Sequence, residues 1–180
     1  MRYLENMGTL GNGALQVRWS TLCNGDSVRT LGLFAARDYQ HGDVVTSYGG
    51  IRRDLDEVRA QKPGLGTHVR LIPGNLHYCM DGGPWSKLFD RSDLSWQSNQ
   101  VNLRQDCAIE LKDEILRSGV GYMANTGPRG QLNVKVESVL PNELDDPVMF
   151  FVATKYIKCG EEIFSPYNNN ESRNSLGSVP

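Results

Sequence analysis

The side chains of this chain that could do chemistry do not form any of the common metal-binding or nucleotide-binding motifs. The three histidines, His41, His68 and His77, are too scattered to form an obvious ligand set. The four cysteines lie too far apart for a C-x-x-C pair, and no P-loop or H-E-x-x-H motif is present. We therefore predict no metal site.

A glycine-rich stretch near the start of the chain is the remaining generic motif. Gly8, Gly11 and Gly13 occur in the order Gly-x-x-Gly-x-Gly. No clear helix follows them, whereas a phosphate-binding loop needs a helix N-terminus directly behind it. A flexible N-terminal loop is therefore favoured over a phosphate site.

Three longer segments are more informative when they are taken together. Residues 31–50 read LGLFAARDYQHGDVVTSYGG, residues 122–127 read YMANTG with Asn133 following, and residues 153–167 read ATKYIKCGEEIFSPY. Their order and spacing resemble the SET domain. That family shows G-x-G-L-F-A, then Gly-Asp and Y-x-G, later an Asn-His-Ser element, and finally G-E-E-Ile/Leu ending in a tyrosine. The resemblance extends over roughly residues 15–167.

The resemblance implies a protein-lysine methyltransferase that uses S-adenosylmethionine as its cofactor. It makes Tyr167 the catalytic tyrosine and Tyr48 a wall of the lysine channel. The residues that it places against the cofactor are Leu31, Gly32, Leu33, Phe34, Asn125 and Thr126. The implied partner is a lysine-bearing protein or peptide, with a histone tail as one candidate, bound in extended form along a strand edge.

These residue types suit methyl transfer from a sulfonium, which is an in-line displacement by a neutral amine. A lysine amine has a pKa of about 10.4 in water. An apolar, aromatic channel beside the sulfonium would favour the neutral form through desolvation and charge repulsion. Tyrosine suits such a channel because its ring is apolar and its hydroxyl can orient the amine. Gly32, which has no Cβ, would let the backbone approach the cofactor closely.

Three positions depart from the family pattern, and all three lie in the site segments. Thr30 stands where the first glycine of G-x-G is expected, Thr126 where a histidine follows the asparagine, and Pro166 where an acidic residue precedes the last tyrosine. We also expect no cysteine-rich zinc segment beside the domain. These departures keep a second interpretation open, a SET-like protein-binding module that has lost catalysis. A third is an unrelated β-rich interaction domain.

Taken one at a time, the candidate residues also have structural explanations. Tyr48 and Tyr167 could be core aromatics, and Asn125 could be a loop residue bonded to its own backbone. The order and spacing of the three segments favour the functional interpretation over these explanations.

The elements that must position these residues are predicted to be short strands with turns about every ten residues. Period-two alternation and β-branched runs predict strands at 15–19, 27–36, 44–48, 132–136 and 148–153, and a hairpin from 68–72 and 76–80. Helices are predicted at 54–61, capped by Asp54, and at 106–117, capped by Asp106. Residues 109–112 could equally form a strand, and the apolar face shared by Leu111 and Ile115 favours the helix. The fold class is therefore mainly β with a few short helices. The resemblance makes it a SET-type β-clip of small twisted sheets, with a C-terminal pseudoknot that brings Asn125 and Tyr167 together.

Residues 83–119 are the hardest part of the chain to interpret, and we predict that they form the variable insert of the family. They contain Trp85 and Trp96. These two side chains either form a platform for the substrate peptide or pack as a satellite core beneath a long loop, and the second interpretation is favoured.

Length and charge set the remaining expectations. The chain has 180 residues and a formal net charge of −2, so we predict one domain over 1–167 with a flexible tail over 168–180. The near balance of charge argues against direct nucleic-acid binding. No apolar segment is long enough to cross a membrane, and no secretion signal is evident, so a nuclear or cytoplasmic location is expected. A homodimer is one open possibility for the oligomeric state.

Overall fold

The structure, a computed structural model, describes residues 7–22, 30–61, 68–72, 77–92, 101–139 and 148–166. Within these ranges the chain forms short strands and short helices. The strands are β1 (Leu15–Trp19), β2 (Leu31–Ala35), β3 (Val44–Ser47), β4 (Ile51–Asp54), β5 (Val69–Leu71), β6 (Tyr78–Asp81), β7 (Val134–Val139), β8 (Val148–Ala153) and β9 (Glu162–Ile163). The α-helices are α1 (Leu55–Gln61), α2 (Gly83–Ser86) and α3 (Ile109–Arg117), and short 3-10 helices lie at Gly121–Met123 and Arg129–Gln131.

The described strands make three antiparallel sheets of three strands each. Their orders are β1-β2-β9, β3-β8-β7 and β4-β6-β5. The first sheet joins the beginning of the domain to its end, because β9 pairs with β2 through Leu33–Ile163 and Phe34–Glu162. The predicted fold class, mainly β with a few short helices, is confirmed.

Hydrophobic patterning explains the strands that were predicted correctly. Leu15 and Val17 are buried in β1, and all five residues of β2 are buried. Gly42 takes a φ of +90°, which a glycine adopts without strain, and turns the chain into β3. The predicted hairpin is confirmed as the antiparallel pair β5–β6. The predicted strand at 132–136 starts later and runs further, as β7, and the strand predicted from 27 is described only as β2.

The core lies where the three sheets meet. Its largest fully buried side chains include Tyr39, Tyr122, Phe151 and Ile163. The Tyr39 hydroxyl donates to the Ala14 carbonyl at 3.0 Å, and burial raises the pKa of this phenol. Each burial of a large apolar side chain contributes roughly 1.5–3 kcal/mol, so this core holds the sheets in fixed relative positions.

Helix α1 is capped as predicted. Asp54 Oδ1 accepts hydrogen bonds from the N–H groups of Asp56 and Glu57 at 2.9 and 3.1 Å, which satisfies two of the free donors of the first turn. Leu55 and Val58 face a small second core.

Helix α3 begins later than predicted. Its N-cap is Ala108 rather than Asp106, and the cap makes no side-chain hydrogen bond. Asp106 is instead paired with the guanidinium of Arg104, which lowers the pKa of that carboxyl. Its side chain is therefore already engaged by a neighbour two residues away. The predicted apolar face is confirmed, because Ile115 is fully buried.

The remaining structural expectations have mixed outcomes. Gly8 and Gly11 donate backbone bonds to Val45 and Leu116 at 2.9 and 2.8 Å, and strand β1 follows them. The glycine-rich stretch is therefore an anchored loop and not a flexible one, and it lacks the helix of a phosphate site. Trp85 is buried and packs edge-on against Tyr122, with ring centroids 6.0 Å apart, which confirms its core role. Trp96 and the predicted tail lie outside the described residues. No described helix could span a membrane.

Candidate functional site

The last described segment, residues 162–166, is held by parts of the chain that are distant in sequence. Phe164 forms a parallel bridge with Asn125, and the Ser165 N–H donates to the Asn125 carbonyl at 2.9 Å. The Phe164 carbonyl accepts from the N–H groups of Asn133 and Val134 at 3.1 and 3.3 Å. The first and second site segments of the sequence therefore meet the third at one place.

Asn125 occupies the centre of this junction. Its Nδ2 donates to the Leu31 carbonyl at 2.9 Å and to Glu162 Oε1 at 3.1 Å. Both partners are acceptors, which fixes the orientation of the amide. The two protons of Nδ2 are thus directed at protein atoms, and Oδ1 is the polar atom of this side chain that is suited to a ligand donor. The predicted cofactor role of Asn125 stays a prediction.

Glu162 is a buried carboxylate whose importance the sequence analysis did not anticipate. It is 5% exposed. Its Oε1 accepts from the Ser20 hydroxyl at 2.7 Å, and its Oε2 accepts from the N–H and hydroxyl of Thr21 at 2.7 and 2.6 Å. Together with Asn125, four donors satisfy the carboxylate, as a buried charge requires. Glu162 therefore ties the chain before β2 to Asn125.

Gly32 has a structural reason to be glycine, and its predicted approach to a cofactor stays a prediction. A Cβ at this position would lie 2.2 Å from Glu162 Oε1 and 3.1 Å from Asn125 Nδ2. The space beside Gly32 is filled by the protein's own polar network, so close approach to a cofactor is not needed to explain the residue. Leu33 and Phe34 are buried in the pairing with β9.

Thr126 and Asn133 bind the same segment through their side chains. The Thr126 hydroxyl donates to the Ser165 carbonyl at 2.8 Å. Asn133 Nδ2 donates to the Glu162 carbonyl, and Asn133 Oδ1 accepts from the Phe164 N–H, both at 2.8 Å. These side chains act as substitutes for a strand partner.

Tyr48 lies at the end of β3 and is 4% exposed. Its hydroxyl donates to the His68 carbonyl at 2.9 Å, and its ring meets Phe151 edge-on with centroids 6.1 Å apart. These contacts agree with a core aromatic. They also place the ring beside the start of β5, so the channel role stays a prediction. Tyr167 lies outside the described residues, one position beyond Pro166.

A pocket of about 440 Å³ opens beside Tyr48. Its walls come from the end of β3, the start of β4, from β6, α2 and α3, and from the start of β8. Most of the lining is apolar, including Met80, Trp85 and Met149, and Arg52 and Glu114 supply charge. Such a pocket suits a largely apolar side chain with a polar end.

Arg70 is a second residue that the sequence analysis missed. It is 5% exposed in β5, and its Nη2 donates to the Ser165 hydroxyl at 2.8 Å and to the Pro166 carbonyl at 2.6 Å. The sequence did hold one signal for its burial, because Arg70 is a charged residue between the apolar residues Val69 and Leu71 in a predicted strand. Arg70 therefore fastens the third sheet to the segment that leads to Tyr167.

The described residues offer no candidate metal centre. No three histidine, cysteine, aspartate or glutamate side chains among them lie close enough to hold an ion. Cys79, Cys107 and Cys159 are free thiols, and burial raises the pKa of Cys79. The polar groups of the junction are amides, hydroxyls and one carboxylate, which orient organic ligands through hydrogen bonds.

Solved structures similar to this chain include those of Polycomb Repressive Complex 2 from Chaetomium thermophilum. One is the complex "in an autoinhibited conformation bound to S-adenosylmethionine", at 21% identity and a TM-score of 0.55. Another is the complex with H3K27me3 and H3K27M, at 20% identity and a TM-score of 0.56. The matches cover 88% and 87% of this chain but only 15% of each matched chain. At this identity the likeness shows the fold alone.

The sequence comparisons are more specific. No curated protein matches the chain. The family model described as the SET domain matches residues 30–168, which is most of the chain and includes all three site segments. The resemblance that those segments carry is thereby confirmed, and the chain belongs to the SET-domain family.

Proposed function

We propose that this protein is an S-adenosylmethionine-dependent methyltransferase that acts on a protein lysine. The observation that carries the proposal is the junction at Asn125, where β2 and residues 162–166 meet. Three segments distant in sequence converge there through hydrogen bonds of 2.8–3.1 Å. Family membership supports the same conclusion, because SET domains are generally protein-lysine methyltransferases.

The residues of the junction fit the cofactor by their chemistry. Leu31, Gly32, Leu33 and Phe34 would hold it along the backbone of β2, with Asn125 and Thr126 beside them. When bound, S-adenosylmethionine supplies a methyl group on a cationic sulfur. Asn125 Oδ1 would meet one of the cofactor's donors, because Nδ2 is fixed by Leu31 and Glu162.

On the acceptor side, Tyr48 and Tyr167 would line the lysine channel. The Tyr48 ring is fixed by its hydroxyl bond to the His68 carbonyl and by Phe151. A rigid aromatic wall excludes water and favours the neutral amine. Positioning of that amine in line with the transferred methyl then accounts for much of the rate enhancement.

The substrate belongs to the finer part of the proposal. A peptide would bind in extended form along an exposed strand edge, as the resemblance to the family implies. A histone tail fits this proposal because a SET-domain complex of the same fold has been solved with H3K27me3. We further propose that the protein is located inside the cell and that it does not bind nucleic acid directly.

The experiment that tests the function is transfer of labelled methyl from S-adenosylmethionine to core histones and to a lysine-rich protein lysate. Tyr167→Phe serves as the control. Labelled protein with the wild type, and at least about tenfold less with Tyr167→Phe at equal cofactor affinity, would support the enzyme. Unchanged turnover in Tyr167→Phe would remove that residue from its catalytic role.

A second candidate is a SET-like binding module that has lost catalysis. The observation in its favour is that Asn125 Nδ2 and the Thr126 hydroxyl are both engaged by protein carbonyl or carboxylate oxygens. Calorimetric titration with S-adenosylmethionine and with S-adenosylhomocysteine separates the two candidates. Heat of binding with both ligands supports the enzyme, and no heat at high protein concentration supports the module.

A further inference from the structure

Arg70 is a buried cation beside the segment that leads to Tyr167. Its side chain is 5% exposed, although it belongs to the three-residue strand β5 at the edge of its sheet. Burial of a guanidinium is costly unless its hydrogen bonds and charge are well accommodated. The contacts of Arg70 should therefore indicate what the residue does.

Two hydrogen bonds of Arg70 leave the same nitrogen atom. Nη2 donates to the Ser165 hydroxyl at 2.8 Å and to the Pro166 carbonyl at 2.6 Å. The same guanidinium lies over two aromatic rings, with Cζ 5.5 Å from the centroid of Tyr48 and 5.4 Å from that of Phe151. These distances fall within the range of cation–π attraction. Arg70 thus contacts the proposed channel wall and the backbone before Tyr167 at once.

Ser165 is held from the opposite side by the residues assigned to the cofactor. Its N–H donates to the Asn125 carbonyl at 2.9 Å, and its carbonyl accepts from the Thr126 hydroxyl at 2.8 Å. The segment is therefore clamped between Asn125 and Thr126 on one side and Arg70 on the other. Removing Arg70 would leave the cofactor-side contacts in place and free the acceptor-side contact.

We propose that Arg70 is a positioning residue of the methyl-acceptor site, an inference that rests on the proposed methyltransferase function. Tyr167 follows Pro166 directly in the sequence, so a fixed Pro166 carbonyl would restrict the positions open to the Tyr167 side chain beside Tyr48. In-line transfer tolerates little error, since a misplacement of about 1 Å can cost about 100-fold in rate. Arg70 acts through Tyr167 and Tyr48 rather than on the reacting atoms.

Two substitutions at this position and one elsewhere test the proposal. Arg70→Met keeps most of the apolar stem but removes both hydrogen bonds. Arg70→Lys keeps the charge, and its ammonium carries three donors, so it can replace bonds that leave one nitrogen. Arg53→Met is the matched control, because Arg53 lies on β4 of the same sheet and pairs with Asp81 at 3.4 Å, away from residues 165–166.

The expected result is a split between binding and turnover. In Arg70→Met, the dissociation constant for S-adenosylmethionine should stay within about threefold, while kcat falls about 10- to 100-fold. Arg70→Lys should recover part of kcat, and Arg53→Met should keep it. Wild-type kcat in Arg70→Met would overturn the proposal, and so would equal losses of cofactor affinity and kcat. If Arg70→Met does not fold, Arg70→Lys is compared with Arg53→Met instead. A lower kcat in Arg70→Lys at unchanged cofactor affinity supports the proposal, and an equal kcat in the two variants contradicts it.

A readout independent of activity separates this proposal from the proposed function. Hydrogen–deuterium exchange of the peptide covering residues 162–167 should be faster in Arg70→Met than in the wild type. Exchange in helix α3 should be unchanged, because residues 109–117 are hydrogen-bonded within the helix. If the wild type transfers no methyl yet exchange changes as expected, the enzyme proposal fails and Arg70 still fixes the segment. Unchanged exchange contradicts the positioning role whatever the activity.

Discussion

At the scale of single residues, the phenol hydroxyl of Tyr122 is a polar group buried in the hydrophobic core. The residue is 2% exposed, and among the described residues its hydroxyl is one of two buried side-chain polar atoms without a hydrogen-bond partner. An unpaired buried hydroxyl costs roughly 1–3 kcal/mol. We therefore expect Tyr122→Phe to leave the free energy of unfolding unchanged or to raise it by up to about 1 kcal/mol, as measured by urea denaturation.

Tyr39→Phe is the matched control for that substitution. Tyr39 is equally buried, but its hydroxyl donates to the Ala14 carbonyl at 3.0 Å. Removing it should lower the free energy of unfolding by roughly 0.5–1.5 kcal/mol. A loss in Tyr122→Phe as large as that in Tyr39→Phe would mean that the Tyr122 hydroxyl has a partner in solution.

The same phenol makes stability depend on alkaline pH. Burial raises the pKa of Tyr122 above the usual value of 10.0, so the folded state keeps a proton that the unfolded state loses. Its contribution to stability is complete below about pH 10 and is lost as the pH rises above that value. The melting temperature of the wild type should fall above pH 10, and Tyr122→Phe should fall less steeply. Parallel curves would contradict this.

Glu162, unlike Tyr122, is a buried polar residue whose side chain is fully hydrogen-bonded, since its carboxylate accepts four hydrogen bonds. In Glu162→Gln, an amide nitrogen would face the donors of Ser20 or Thr21. We expect a loss of about 1–3 kcal/mol in the free energy of unfolding. Glu161→Gln, at the exposed neighbour, should lose less than about 1 kcal/mol. Equal effects of the two substitutions in urea denaturation would show that the Glu162 charge contributes nothing.

At the scale of elements, helix α3 can be improved at its start. Ala108 is the N-cap, with φ −55° and ψ 142°, and offers no side-chain acceptor. Ala108→Ser would supply one for the free N–H groups of the first turn and should add about 0.5–1 kcal/mol. Asp106→Ala should leave the helix capped as before, since Asp106 contacts Arg104. A drop in the helical circular dichroism signal of Asp106→Ala would instead show that Asp106 caps the helix, as the sequence predicted.

Strands and turns were more predictable from sequence than the ends of helices. β1 and β8 were predicted with their observed bounds because alternation and β-branched runs act locally. The start of α3 was not, because Arg104 pairs with Asp106 and the helix begins two residues later, after Ala108, which has no capping side chain. Trp85 illustrates the same point, since its core role depends on Tyr122, which is far away in sequence.

At the scale of the whole molecule, family motifs located the site better than physical patterns could. Their order pointed to Asn125 and to the last segment, which the structure brings together. The network that joins them could not be predicted, because Glu162 and Arg70 look like ordinary surface charges in the sequence. Their burial follows only from the convergence of β2, β5 and residues 162–166. The roles of Tyr48 and Tyr167 stay predictions.

This convergence predicts that stability depends on the last segment and not on the residues after it. A variant that ends at Glu161 loses β9, the contacts of Phe164 and the bonds to Asn125 and Asn133. Ile163 and Phe164 are buried and each contributes about 1.5–3 kcal/mol. Their loss, with that of the hydrogen bonds, is comparable with the roughly 5–15 kcal/mol that stabilises a domain.

We therefore expect the variant that ends at Glu161 to lose its cooperative thermal transition, as followed by tryptophan fluorescence and far-ultraviolet circular dichroism. A variant that ends at Tyr167 is its control. That variant keeps the described contacts of residues 162–166, so we expect its melting temperature to stay close to that of the full chain. A cooperative transition in the shorter variant would mean that the sheets hold together without β9. Unfolding of the longer one would mean that residues 168–180 contribute to the fold, contrary to the tail predicted from their composition.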